Sequence, residues 1–319
     1  MNKRPLLSII IPNWNGLRFL PACLNAIERQ TLPDLEVIVV DNASKDDSVS
    51  YLREHHPNVR VVELPMNRGF TGACNAGIAI AQGTYIALLN NDTEVDAGWA
   101  AAVVSAFERY PHIGSVASRM LLFDQRDRIH TAGDFFTTDG QAGNRGVWQP
   151  DGASFRRETE VFSACGGSSV YRAEALREVG LLDDDFFFLL EDVDLGWRLQ
   201  LAGWRCLYTP DAVVYHHLSA TGGGVTASFY NGRNSILLLA KNVPNELWIR
   251  HGRAIVRRQI QNAAEALKAW RGEAARARLR GMIVGLISAP LQLRKRQQIQ
   301  RRRAVSADVI ESLLTPPAP

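Results

Sequence analysis

The residues with the clearest chemical potential sit directly after apolar runs. Pro12-Asn13-Trp14-Asn15, Asp41-Asn42-Ala43-Ser44, Asn67-Arg68-Gly69-Phe70 and Asn90-Asn91-Asp92-Thr93 each offer amides or a carboxylate at the end of a hydrophobic stretch. Glu191-Asp192-Val193-Asp194 follows the apolar run Phe186-Phe187-Phe188-Leu189-Leu190, and His216-His217 ends another. A carboxylate such as Asp41 can accept from a pyrimidine N3–H or from ribose hydroxyls, or it can simply cap the following turn. The Asn90-Asn91-Asp92 cluster can help hold a divalent cation opposite a diphosphate, or it can be a plain polar turn. Apolar neighbours raise the pKa of a carboxyl, which suits Glu191 or Asp192 to general-base work. Asp194 and Arg198 stand at i,i+4 and are expected to pair on the helix surface, leaving Glu191 and Asp192 without such a partner.

The elements that position these groups read as strand–helix alternation. Leu6–Pro12 is a continuous apolar run ended by proline, as expected for a buried parallel strand, and Leu35–Val40, Val59–Leu64 and Tyr85–Leu89 read as the next three strands, with helices between them. That order predicts a parallel sheet with helices on both sides. Such sheets bind ligands beyond the carboxyl ends of their strands, where the polar clusters fall. Ser44, with Asp47 three residues on, is the expected start of the second helix. Further on, Ile113–Leu122 and Val161–Tyr171 read as strands, Glu191–Leu201 as a helix and Trp204–Tyr215 as a strand. Adjacent strand residues point to opposite faces, so one of His216 and His217 is expected to enter the site. The glycine-containing stretch Phe123–Arg157 reads as a loop or hairpin able to act as a lid. Thr221-Gly222-Gly223-Gly224 could close over bound phosphates. Residues 228–300 read as mostly helical.

Several classes are disfavoured. There is no GxGxxG after the first strand and no GxxxxGK[ST] in the 319 residues, which argues against dinucleotide-binding and P-loop enzymes. A nucleotidyltransferase would want a basic glycine-rich loop where Asn13-Trp14-Asn15-Gly16 stands. The four cysteines are scattered, with Cys23 and Cys74 on apolar helix faces, so neither a zinc knuckle nor a disulfide framework is expected. The N-terminal apolar run is too short for a signal peptide and no window is long enough to span a bilayer. The expected location is cytoplasmic.

Taken in order, Ile11-Pro12-Asn13-Trp14-Asn15, Val40-Asp41-Asn42-Ala43-Ser44, Asn67-Arg68-Gly69-Phe70, Leu89-Asn90-Asn91-Asp92-Thr93, Glu191-Asp192-Val193-Asp194 and His216 resemble the family-2 glycosyltransferases of the GT-A fold. The resemblance is to their bacterial rhamnosyltransferase-like branch and covers about residues 5–240. It implies a Rossmann-like mixed α/β sheet with helices on both faces. It implies an inverting transferase that takes a sugar from a dTDP- or UDP-sugar, L-rhamnose from dTDP-L-rhamnose first, to a cell-envelope glycan or lipid-linked acceptor. Pro12, Asn13, Trp14, Asp41, Asn67, Gly69 and Asn91 would then surround the donor. Asp92 and His216 would hold Mn²⁺ or Mg²⁺, with Asn90 standing where the family's metal motif has its first Asp. Asp192 would be the catalytic base, with Glu191, Cys165 and Gly166 on the acceptor side. A protein that keeps the sugar nucleotide but has lost catalysis is the non-enzymatic alternative.

The expected organisation is a catalytic domain over 1–224, with a nucleotide-binding half at 1–122 and an acceptor half at 123–224, followed by a helical region at 225–319. Charge divides the same way. Residues 1–224 carry 19 Lys and Arg against 28 Asp and Glu, and residues 225–319 carry 17 against 5, within a net +3. The basic region, with the apolar segment Met282–Leu291 between arginines, is expected either to pack on the catalytic body or to lie on an anionic membrane at the inner face of the cell membrane. Few aromatics interrupt its basic residues, so nucleic acid is not an expected partner. The sequence leaves the oligomeric state open.

Overall fold

In the computed structural model, residues 4–217 and 224–317 are described. The chain opens with β1 (Leu7–Asn13), α1 (Leu20–Glu28), β2 (Leu35–Asp41), α2 (Ser48–His55), β3 (Arg60–Glu63), α3 (Gly69–Ile80) and β4 (Tyr85–Leu89). A short β5 (Thr93–Val95), α4 (Trp99–Arg109) and the long β6 (Ile113–Leu122) follow. Next come β7 (Ile129–Thr131), β8 (Asp134–Phe136), β9 (Ala142–Asn144), β10 (Thr159–Val161), β11 (Ser168–Arg172), α5 (Ala173–Val179), α6 (Glu191–Leu201) and β12 (Arg205–His216). The chain ends in α7 (Gly224–Asn242), α8 (Asn245–Lys268), α9 (Glu273–Arg301) and α10 (Ala307–Glu311).

The main sheet runs β10-β12-β6-β11-β4-β1-β2-β3, with β5 added on β12 and β7 on β6. The strands β3, β2, β1 and β4 are parallel neighbours, as their apolar runs predict. Both faces of β1 and β4 and of the end of β2 are buried. Ile9, Ile11 and Val39 pack with α1 and α4, while Ile10, Ile38 and Val40 pack with α3, α5 and α6. The sheet becomes mixed at β11, which lies antiparallel between β4 and β6.

Two additions to the sheet matter for the site. In β12 the register shifts between Thr209 and Val213, where Pro210 supplies no N–H to the ladder. Beyond that bulge, β5 pairs antiparallel with the end of β12 and puts Thr93 opposite His216. This pairing brings Asp92 beside His216 across 124 residues of sequence.

Some local expectations change. The stretch Val161–Tyr171 is not one strand. It divides into β10 and β11, which pair in different parts of the sheet, with Cys165-Gly166-Gly167 in the turn between them. Ser44 does not start α2. Asp47 does, and Ser44 instead receives the Asn15 N–H on its hydroxyl at 2.9 Å. The Phe123–Arg157 segment is packed rather than lid-like. Ile129, Phe136 and Phe155 are buried, Thr315 N–H donates to the Phe136 carbonyl at 2.8 Å, and Arg258 pairs with Asp139 at 2.6 Å. Thr221, Gly222 and Gly223 lie outside the described residues.

The C-terminal helices pack on α6, where Trp197 and Phe162 meet Leu237, Leu247 and Ile255. Helices α7 and α9 cross backbone to backbone. A Cβ on Gly281 would stand 2.0 Å from the Phe229 carbonyl oxygen, and one on Gly285 2.7 Å from that of Arg233, so only glycine fits. The opposite face of α9 stays open, with Ile283, Leu286, Ile287 and Leu291 exposed between Arg280 and Arg294. Among the described residues no helix is long and apolar enough to cross a membrane.

Candidate active site

The polar ends of β1, β2 and β4 meet at one edge of the sheet. Asn91 donates from Nδ2 to Asn13 Oδ1 at 2.8 Å, and Asn13 donates in turn to Asp41 Oδ1 at 3.2 Å. Gly16 leaves the room for this contact, since a Cβ there would lie 2.0 Å from Asn91 Nδ2 and 2.3 Å from Asn13 Oδ1. Asn42 ties the next loop in. Its Nδ2 donates to Asn67 Oδ1 and to the Gly69 carbonyl, both at 3.0 Å, and its Oδ1 accepts from Arg68 N–H at 2.8 Å.

These loops frame a cavity of about 190 Å³ lined by Pro12, Asn13, Trp14, Asn67, Gly69, Asn91 and Asp92, with Phe187 and Phe188 on its far wall. Trp14 is 51% exposed, so its ring is free to meet a planar ligand. Asp41 is not on the lining. It is buried, and its Oδ2 accepts from Ser44 N–H at 3.0 Å, the turn-capping arrangement.

A second cavity of about 550 Å³ adjoins the first and shares Phe70, Asn90, Asp92 and Phe188 with it. Its lining includes Cys165, Gly166, Glu191, Asp192 and His216. The expected site residues, Asp41 apart, therefore gather around two joined cavities. Of the two histidines, His216 enters the site, with Nε2 3.2 Å from Asp92 Oδ1, while His217 faces Glu94 and stacks on Phe123. Among the described residues no group of three or more His, Cys, Asp or Glu side chains is placed to hold a metal ion.

The electrostatics of the larger cavity are set by burial. Asp192 is raised above the usual carboxylate range by desolvation, against the lowering effect of the Gly166 N–H on Oδ2 at 2.7 Å and the Val193 N–H on Oδ1 at 2.8 Å. Glu191 is pushed well up by burial and then by the charge of Asp192, and its Oε2 has no hydrogen-bond partner among the described residues. Asp194 behaves in the opposite way. It is fully buried, not on the surface, yet Lys241 and Arg198 hold it below the usual range. The i,i+4 pair with Arg198 exists, but α7 covers it.

Two groups in the larger cavity were not singled out from the sequence. Asp134, raised by burial and then by Asp192, accepts from Ser163 Oγ at 3.1 Å. His130 lies with Nδ1 3.1 Å from His216 Nδ1, and burial lowers its pKa to about 3, so it is neutral. Both lie in the segment read as a loop or hairpin, on β7 and β8, which are too short to mark an inward-facing side chain.

Residues 8–180 match the family Glycosyl transferase family 2, and the chain belongs to that family. It is a glycosyltransferase with the GT-A fold. It is 31% identical over 70% of its length to an uncharacterised protein of Sinorhizobium fredii, of which it spans only 26%. It is 28% identical over 66% of its length to the N-acetylglucosaminyl-diphospho-decaprenol L-rhamnosyltransferase of Mycobacterium tuberculosis, spanning 74% of that protein. Among solved structures it resembles a mannosyltransferase from Pyrobaculum calidifontis in complex with GDP-Man and Mn²⁺. The TM-score there is 0.56 at 20% identity, over 92% of this chain and 88% of that one.

Proposed function

We propose that the enzyme moves L-rhamnose from dTDP-L-rhamnose to a cell-envelope glycan or lipid-linked acceptor, with inversion at the anomeric carbon. The observation that carries this reading is the placement of Asp192, held by the Gly166 and Val193 N–H groups, in a cavity that adjoins the one lined by Trp14, Asn67 and Gly69. The donor occupies the smaller cavity and the acceptor the larger. Asp192 takes the proton of the acceptor hydroxyl. The freed oxygen attacks the anomeric carbon as its bond to the diphosphate breaks, and the nucleoside diphosphate departs. Glu191, Cys165 and Gly166 shape the acceptor side. Asp41 acts on the donor by holding Asn13 in place. The Mycobacterium relative supports rhamnose as the sugar and a lipid diphosphate as the acceptor.

Asp92 and His216 fit a divalent cation, Mn²⁺ or Mg²⁺. They offer one carboxylate oxygen and one imidazole nitrogen, which leaves the other positions to ligand oxygens and water. The metal-bound neighbour from Pyrobaculum supports the same reading. A bound cation would supply positive charge opposite the departing diphosphate.

Thermal shift with a panel of nucleotide sugars tests the donor. A ligand that binds only the folded state raises its melting temperature. dTDP-L-rhamnose with Mn²⁺ is expected to give the largest shift, and a larger one from a UDP-sugar would replace it as donor.

The open face of α9 and the basic composition of residues 225–319 support peripheral contact with an anionic membrane. Cosedimentation with phosphatidylglycerol vesicles, but not with neutral ones, is the expected result. Recovery wholly in the supernatant of both would remove membrane contact from the proposal.

A further inference from the structure

The loop between α5 and α6 leads directly into Glu191 and Asp192 at the start of α6 and takes an unusual path. Phe187, Leu189 and Leu190 all have left-handed backbones, with φ of 61°, 68° and 65°. Side chains with a Cβ resist that region, so three such residues in four positions need outside support. Leu190 is also the N-cap residue of α6 and offers no capping side chain. The loop forms part of both cavities, with Phe187 on the donor side and Leu189, Leu190 and Asp192 on the acceptor side.

The support comes from one face of α7. Asn234 is fully buried, and the two N–H groups of its Nδ2 are shared among the carbonyls of Phe186, Phe188 and Leu189, at 2.9, 2.9 and 2.7 Å. Arg233 holds the Asn234 amide in turn, donating to its Oδ1 at 2.9 Å. Two turns further along, Lys241 reaches Asp183 at the start of the loop at 2.6 Å and Asp194 in α6 at 2.8 Å. Tyr230 stacks on Phe187 with ring centroids 5.2 Å apart. The backbone-to-backbone crossing of α7 with α9 keeps this face from sliding.

We infer that Asn234 is a positioning residue: it holds the Asp183–Leu190 loop in its left-handed path and thereby sets the position of Asp192 in the larger cavity. The helical C-terminal region is then part of the catalytic geometry and not only an outer layer. This rests on Asp192 being the base.

The test compares steady-state rates of full-length variants well below their melting temperatures. Misplacing a reacting group by about 1 Å can cost 10²-fold, so Asn234→Ala is expected to lower kcat by roughly 10–100-fold with acceptor KM changed by less than about threefold. Leu238→Ala, on the same helix but with no bond to the loop, is expected to lower the melting temperature and keep kcat. Glycine takes a left-handed backbone without steric cost, so adding Leu189→Gly to Asn234→Ala is expected to restore about fivefold or more of the lost kcat. A role for Asn234 in helix packing alone would show no such rescue. If Asn234→Ala does not fold, Asn234→Gln carries the same comparison. A folded Asn234 variant with near-normal kcat, or a double variant no faster than the single, would overturn the inference. Asp192→Asn in the same assay separates the two readings. If it keeps its turnover, the base assignment fails. If it is inactive while Asn234→Ala is normal, only the positioning inference fails.

Discussion

Asp192→Asn is expected to lower the transfer rate by about 10²–10⁴-fold, the range a positioned general base contributes, while leaving donor binding intact. The substitution keeps the size of the side chain and the Oδ that accepts from Gly166 N–H, but it removes the proton acceptor. Donor affinity should persist because Asp192 lines only the larger cavity. The pH dependence follows from the direction of the shift. Burial raises Asp192, and a base works only when ionised. Activity should therefore fall as pH drops through a value above the usual Asp range, and its ascending limb should disappear in Asp192→Asn. A variant with near-normal turnover would remove Asp192 from the proposed chemistry. Glu191 could not quietly take over, because its burial favours the protonated form.

Stripping divalent cations with a chelator is expected to lower turnover by about 10²-fold or more, and added Mn²⁺ or Mg²⁺ should restore it. Asp92→Ala should show the same loss without restoration at low metal concentration, since the site then keeps only the His216 nitrogen as a protein donor. A direct readout is Mn²⁺ binding followed by electron paramagnetic resonance in the presence of dTDP. Full activity in excess chelator would exclude a metal role for Asp92 and His216. On the proposed reading, Asn90 in place of the family's first acidic residue does not by itself disable the site, because His216 would supply the second donor.

The first, second and fourth strands were legible because their apolar runs are largely buried, and the third, an edge strand with Arg60 and Glu63 exposed, was legible from its place in the strand–helix alternation. Their polar ends were legible for the same reason, since a ligand edge is where hydrophobicity stops. The proximity of Asp92 to His216 was legible only through resemblance. Its physical cause is β5, three residues long and too short to show a period, pairing with β12 past a proline bulge. The split between β10 and β11 was hidden because Cys165-Gly166-Gly167 is apolar enough to continue a strand pattern, while its backbone is diverted to meet Asp192. Asp194 looked like a surface partner of Arg198 because i,i+4 spacing shows a pair but not what covers it. Lys241 and Asn242, about fifty residues later, complete that buried cluster. Asp134 and His130 gave no signal at all, since β8 and β7, three residues each, are too short to show a period from which an inward face can be read.

The central claim is direct displacement of the nucleoside diphosphate by an acceptor oxygen activated by Asp192. It is tested most directly by the anomeric configuration of the first product, read by nuclear magnetic resonance before any secondary exchange. One displacement predicts a glycoside of configuration opposite to that of the donor sugar. A product that keeps the donor's configuration would require two displacements or front-face attack, and would contradict the account.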